Sequence, residues 1–369
     1  MATVADRLEL EESDVQETFF AKGWTDGLPI VPPTPERVAA LLEIVGADDP
    51  SVLIGFVQAR GRGISLEKAA VNAVMAGCEP ASFPVVVAAL EAMFDSAFNA
   101  HTVLSSTGGA ALGVVVSGPI AAEIGMNARH NCLGPGNRAN ATIGRALRLA
   151  VMNVLGARHG ELDATSIGHP GKYTFCFAED PPPAPWRPLA EELGYDEGAT
   201  TVTVLPVEGV RQIAQQLNGS AEGILRTVAA ALRTPETFAV GKGGQALVIL
   251  GPEHAGFCVA EGWSQADVRA FLARESRITP AELEAAGVRL ESGAQHDMTP
   301  GEDGKLPAVA SADDLYLVTA GGEGAGWSAY APTWAPTIHA RAATRRVRPA
   351  GEPLPDCGPD GCLVPWRSA

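Results

Sequence analysis

The chain has 369 residues, of which 46% are hydrophobic, and its formal net charge is −16. That length and apolar content suffice for one large core or two ordinary ones. The charge argues against a general nucleic-acid binder, whose affinity comes from neutralising phosphates; no apolar run reaches the roughly 18 residues of a membrane span, and the acidic, polar stretch from Met1 to Ser13 is unlike a secretory signal.

Residues 1–50 read as a helical lead-in, interrupted by a turn-rich segment from Gly23 to Thr34. A helix follows over 36–44, with Thr34 as its cap and Pro35 at its first position, where a missing N–H costs nothing. A first α/β unit is expected over 51–185: strand 52–58, helices 65–77 and 81–95, strand 111–117, a Gly/Asn-rich loop, helix 140–154 and strand 173–179. The proline run over 181–186 reads as a linker, because consecutive prolines join neither a helix nor a central strand. A second unit is expected over 195–340: strand 200–206, helices 208–217 and 221–233, strand 246–250, helices 264–273 and 280–286, and strand 314–320. Residues 345–369 form a Pro/Gly-rich tail carrying Cys357 and Cys362.

The two units echo one another. Gly108 to Pro119 is answered by Gly243 to Pro252, Val52 to Phe56 by Thr201 to Leu205, and Tyr173 to Glu179 by Leu315 to Glu323. Domain-sized spacing rules out a solenoid. The expected fold class is therefore α/β: two tandem pseudo-repeated α/β units with helix-covered sheets and a cleft between them. Ligands of such sheets gather outside the carboxyl ends of strands.

The richest segment for chemistry runs from Asn127 to Arg145, a loop between a strand and a helix. Gly134 and Gly136 free its backbone, Asn137 and Asn140 stand at the helix start, and Arg138 and Arg145 share roughly one helical face, an arrangement suited to a carboxylate or phosphate. The glycines follow the strand too late for a dinucleotide fingerprint. Cys78, ahead of a helix start, and Cys132, beside His130, are candidate thiolate nucleophiles, with His130 or His169 as proton carrier. Lys172 belongs with His169 at the entry to a strand, and Gly321 and Gly322 offer N–H groups to an anion. An alternative set, His169, Glu179, His254 and Glu323, would serve a metal-dependent lyase or hydrolase, although no contiguous metal motif is present and the sequence names no cofactor. Glu253 and His254 occur in the second copy only.

Several phrases resemble the UGSC family of (seleno)proteins, a bacterial group, and its longer relatives: Asp26-Gly-Leu-Pro-Ile-Val-Pro-Pro-Thr-Pro-Glu-Arg-Val38, Ala73-Val-Met-Ala-Gly-Cys78, Gly136-Asn-Arg-Ala-Asn-Ala-Thr-Ile-Gly-Arg-Ala146, Gly168-His-Pro-Gly-Lys-Tyr-Thr174 and Ala320-Gly-Gly322. The resemblance implies thiol or selenol redox work. The selenocysteine-or-cysteine, Gly, Ser, Cys motif that names the group is absent, and Cys357 and Cys362 stand at a longer spacing. Together these readings lead to a cytoplasmic, thiol-dependent enzyme acting on a small anionic substrate in the cleft between the units. An intracellular small-molecule binding protein is the reading from another class. Six cysteines without a leader fit the cytoplasm, and a Gly-rich, apolar chain of this kind often associates into a homo-oligomer.

Overall fold

Helix starts follow the capping signals in the sequence. The computed structural model describes residues 7–235, 237–290, 298–324, 326–349 and 352, so the pair Cys357 and Cys362 lies outside the described residues. The lead-in holds α1 (Val15–Ala21) and α2 (Pro35–Ile44), and the Thr34 hydroxyl accepts the Arg37 amide as an N-cap should. A hairpin of β1 (Leu53–Val57) and β2 (Arg62–Ser65) follows. Ser65 then caps α3 (Leu66–Ala76), and α4 (Phe83–Met93) and α5 (Ala100–Ser105) follow.

Next come β3 (Ala111–Ser117), the short α6 (Ile120–Glu123), α7 (Arg138–Asn153), β4 (Cys176–Ala178), α8 (Leu189–Glu192) and β5 (Thr201–Val207). The remainder is β6 (Arg211–Ala214), α9 (Ala221–Leu232), β7 (Ala246–Leu250), α10 (Pro252–Ala260), α11 (Gln265–Glu275), α12 (Pro280–Ala285), β8 (Leu315–Thr319), β9 (Trp327–Pro332) and β10 (Ala343–Arg346).

Among the described residues the strands form two four-stranded mixed sheets beside the β1–β2 hairpin, and neither sheet closes into a barrel. The first sheet has the order β10-β5-β3-β4 and the second β6-β9-β7-β8. Each contains one parallel pair, β3 with β4 and β7 with β8, flanked by an antiparallel strand, β5 or β9. The outermost strand is in both cases antiparallel to its neighbour. Strand β5 is followed in sequence by β6, which joins the second sheet. Strand β9 is followed by β10, which returns to the first. The outer strands are thus crossed between the sheets.

Alternation along the strands sorts the side chains into three cores. Val114 and Val116 of β3, Cys176 of β4, and Val202 and Val204 of β5 face α2, α3, α4 and α7. Val248 and Leu250 of β7, Leu315 and Leu317 of β8, and Tyr330 of β9 face α9, α10 and α11. The opposite faces meet each other: Val115, Phe177, Leu205 and Val207 pack with Leu247, Ile249, Val318 and Ala331. The molecule therefore has layers in the order helix, sheet, sheet, helix. Where the sequence suggested a cleft between two units, the facing sheet surfaces make a filled apolar core.

Three expectations change. Strand 52–58 pairs in the small hairpin rather than joining a main sheet. Strand 200–206 was placed with the second unit, but β5 pairs along its whole length with β3. Segment 208–217, rich in the helix formers Arg, Gln and Ala, contains an edge strand instead: β6 buries Ile213 and pairs with β9, and that pairing outweighs local propensity. The echoed Gly-Pro turns have a shared physical cause. A Cβ at Gly118 would meet the Ala199 carbonyl, and one at Gly251 would meet the Trp327 carbonyl, so each turn presses bare backbone onto the chain beside it. No helix among the described residues is long and apolar enough to cross a membrane.

Candidate functional site

Strand β3 ends at Ser117 and its parallel neighbour β4 at Ala178, so the chain leaves both at the same end of the first sheet. Gly118 and Pro119 turn into α6, while Glu179 and Asp180 lead into the proline run. A cavity of about 470 Å³ lies between these exits. That is where an α/β sheet presents ligand sites, and the size suits a small organic molecule. Its walls are mostly Ala, Gly and Pro; its polar side chains are Asn127, Arg129, Glu179, Asp180 and Glu191.

Glu179 is the buried polar member, with 7% of its surface exposed. The Ser117 hydroxyl donates to its Oε2, and the Leu189 amide donates to Oε2 at 2.9 Å and to Oε1 at 3.1 Å. The Ser117 oxygen in turn accepts the Ala190 amide at 3.3 Å. Burial disfavours the charged carboxylate and pushes its pKa up to about 7, against the hydrogen bonds from Ser117 and Leu189 and with the help of nearby Glu191 and Glu192. At the exposed lip, Arg129 Nε donates to Asp180 Oδ1 at 3.2 Å.

One wall is the loop that carries Asn127 to Gly136. Its asparagines are engaged in building it. Asn140, 4% exposed, accepts the Asn127 amide at 3.0 Å and donates to the Asn127 and Cys132 carbonyls at 2.8 and 3.0 Å. Asn137 caps α7 by accepting the Asn140 amide at 2.9 Å, and a Cβ at Gly134 would strike the Asn131 side chain. Of the N–H groups read from sequence as an anion cradle, that of Asn140 is already taken by the Asn137 cap. The loop also reaches the second sheet: Gly321 N–H donates to the Ala128 carbonyl at 2.8 Å, and Gly322 lies against the His130 ring. Gly136, with φ of +121°, forms the turn before the cap.

The arginines proposed for the anion have other partners. Arg145 holds Asp26 through two hydrogen bonds, 2.8 and 2.7 Å, and reaches the Leu28 and Pro29 carbonyls. Arg138 pairs with Glu79 at 2.6 Å and with the Gly77 carbonyl, well exposed to solvent. Lys172 is bound to Asp163, which Arg148 also contacts at 2.7 Å; against the opposing effect of burial, the Thr165 hydroxyl, Lys172 and Arg148 together hold the Asp163 carboxyl far below the usual range.

The thiols are placed against the nucleophile reading. Cys78 is buried between α3 and α7, and burial pushes its pKa up to about 12 despite Thr142, Arg138 and Arg145 nearby. Cys132, part of the wall loop, is buried in the core between the sheets and is likewise raised by burial. A thiolate needs the opposite shift. His169 lies beside Gly209 and Val207, at the far end of β3 from Glu179, with its own pKa lowered by burial. Cys78, Cys132, His130 and His169 therefore do not converge on one pocket.

Nor does the alternative metal set assemble. His254 is buried in the second sheet's helical layer, bonded to Ser328 Oγ at 2.7 Å and the Gln215 carbonyl at 3.1 Å. Glu253 accepts the Gly326 amide, and Glu323 is exposed. When the ladders are aligned on the two Gly-Pro turns, Thr319, opposite Leu250, occupies the place of Glu179; Glu323 lies beyond it. Among the described residues no group of three or more His, Cys, Asp or Glu could hold a metal ion. Sequence reasoning singled out Glu179 but missed Ser117, Arg129, Asp180 and Glu191. Ser117 had a readable signal: a polar residue stands before the first Gly-Pro turn, whereas Leu250 stands before the second.

No protein-family model matches the chain, and no curated protein is found similar to it.

Proposed function

We propose that the protein is an enzyme that moves a proton on a small organic molecule, with Glu179 as the acid–base group and the cavity at the ends of β3 and β4 as the binding site. One observation carries the reading: a buried carboxyl, held in place by the Ser117 hydroxyl and the Leu189 amide of α8, lines a cavity of about 470 Å³ with its pKa near 7. General acid–base catalysis works best with such a pKa, since the group is then available in both forms. Oε1 carries a single long hydrogen bond, so it is the oxygen with capacity to take or return a proton. Ser117 touches Glu179 rather than the cavity and is a positioning residue. A substrate of the size expected from sequence remains in the proposal; the thiol step gives way to the carboxyl, and the site moves from between the sheets to the strand ends. The described cysteines are free thiols, which accords with a cytoplasmic setting.

The test is protein-dependent exchange of substrate hydrogen for deuterium, read by NMR on a panel of small carbonyl compounds and amines in heavy water. Exchange that the wild type catalyses and Glu179→Gln abolishes supports the reading. Exchange that survives intact in Glu179→Gln overturns it. Infrared spectroscopy gives an independent measure, because a Glu179 carboxyl found fully ionised about two units below neutrality would remove the acid–base role.

A further inference from the structure

Most of the amides that line the cavity are already engaged, and its carboxyl groups outnumber its cations. Its turn amides are engaged: Ala121 and Ala122 donate to the Gly118 and Pro119 carbonyls, and Met126 donates to Ala121. Asn127 and Arg129 give their amides to asparagine side-chain oxygens. At the strand exit, the Glu179 and Asp180 amides donate to Val116 and Thr319. Across the cavity, Ala190 donates to Ser117 Oγ and Glu191 to the Pro188 carbonyl, while Pro119, Pro181 and Pro188 have no N–H to give. The Asn127 side-chain amide is also taken, by the His130 carbonyl.

Charge follows the same pattern. The lining contains three carboxyl groups, Glu179, Asp180 and Glu191, against one cation, Arg129. Arg129 is turned outwards, its side chain 67% exposed, and its Nε is engaged by Asp180. Exposed Glu123, Asp196 and Glu197 sit beside lining residues in sequence and add to the field. A concave site lined by one sign of charge concentrates ligands of the other sign.

Resting on the acid–base reading of this cavity, we infer that its substrate is an organic cation, an ammonium compound whose N–H groups donate to the carboxyl groups of the walls. Glu191 and Asp180 receive the ammonium, and the alanine and proline walls take its hydrocarbon part. The ammonium also favours the charged form of Glu179, so binding near neutral pH drives a proton off that carboxyl. This replaces the anionic substrate expected from the Arg138 and Arg145 loop, whose cations are committed elsewhere.

The experiment uses the full chain and three probes of similar shape: benzylamine, benzyl alcohol and benzoate. Calorimetric titration near neutral pH, in two buffers of different ionisation enthalpy, reads affinity and proton release together. The expected result is benzylamine at least about tenfold tighter than benzyl alcohol, a step of roughly 1.4 kcal/mol, with benzoate weakest and a proton released on benzylamine binding. Glu191→Gln is expected to weaken benzylamine severalfold and leave benzyl alcohol unchanged. Benzoate or benzyl alcohol binding as well as benzylamine overturns the cation inference; if that binding is lost in Glu179→Gln, the cavity reading still stands. Failure of all three probes to bind overturns the cation inference as well, whereas the fate of the acid–base reading is decided separately by the deuterium exchange.

Discussion

Arg145 grips Asp26 across 119 residues of sequence, Nε to Oδ2 at 2.8 Å and Nη2 to Oδ1 at 2.7 Å, with Asp26 almost wholly covered. The forked geometry and the added bonds to Leu28 and Pro29 tie the lead-in to α7. Arg145→Ala leaves a buried carboxylate without its partner and is expected to cost about 3–5 kcal/mol in denaturant unfolding. Arg145→Lys should recover only part, because an ammonium cannot reproduce the fork. If Arg145 instead served an anion, the alanine variant would lose ligand binding with little loss of stability.

Glu179 makes stability depend on pH. Its folded pKa is about 7 against an ordinary 4.5, so the folded state binds more protons between those values than the unfolded state does. Stability therefore falls as pH rises through that window and is lowest above it. The wild type should lose up to about 3 kcal/mol relative to Glu179→Gln between roughly pH 4.5 and 7. Parallel urea titrations of the two proteins check this; a constant difference across the window would contradict it.

Asn140 holds the cavity's wall loop from within. Asn140→Ala strands one amide and two carbonyls and should cost about 1–3 kcal/mol. Asn140→Asp should be no better, since its carboxylate faces the carbonyls of Asn127 and Cys132 that the amide had served. Hydrogen exchange should quicken selectively over residues 127–136 in both variants. Unchanged exchange there would show that the loop has other support.

Cys78 should alkylate slowly. Its thiol is buried and raised to about 12, so little thiolate exists at neutral pH. Peptide mapping after iodoacetamide treatment of native protein should find Cys78 and Cys132 largely unmodified, and both modified once the chain is unfolded in urea. Native labelling of Cys78 at the rate of a free thiol would restore its candidacy as a nucleophile.

Sequence patterns revealed most of the elements because local signals agreed with the final packing. Thr34 before Pro35, the continuous apolar run of 111–117, and the amphipathic 221–233 each lead to the element found. Glu179 was legible as a carboxyl at a strand's end. What misled was long-range pairing. The partners of β5 and β10 lie far away in sequence, and Ile213 becomes a strand residue only because β9 is beside it. The Asn/Arg loop misled for a related reason: Asp26, Glu79 and the loop's own carbonyls neutralise its donors, and none of those contacts is visible in spacing.

The crossed outer strands have a consequence for the order of events at the ribosome. The first sheet is closed by residues 343–346, which pair with 201–204 and are then pinned to the helical layer by Arg345 on Asp95 and Arg348 on Glu91. Synthesis must reach residue 346 before that edge is covered. Until then β5 offers an open row of amides and carbonyls to any passing strand, its own sister copies included. A nick in the proline run would leave β3 and β4 on one fragment and β5 and β10 on the other, so the first sheet should re-form only when the two fragments are mixed.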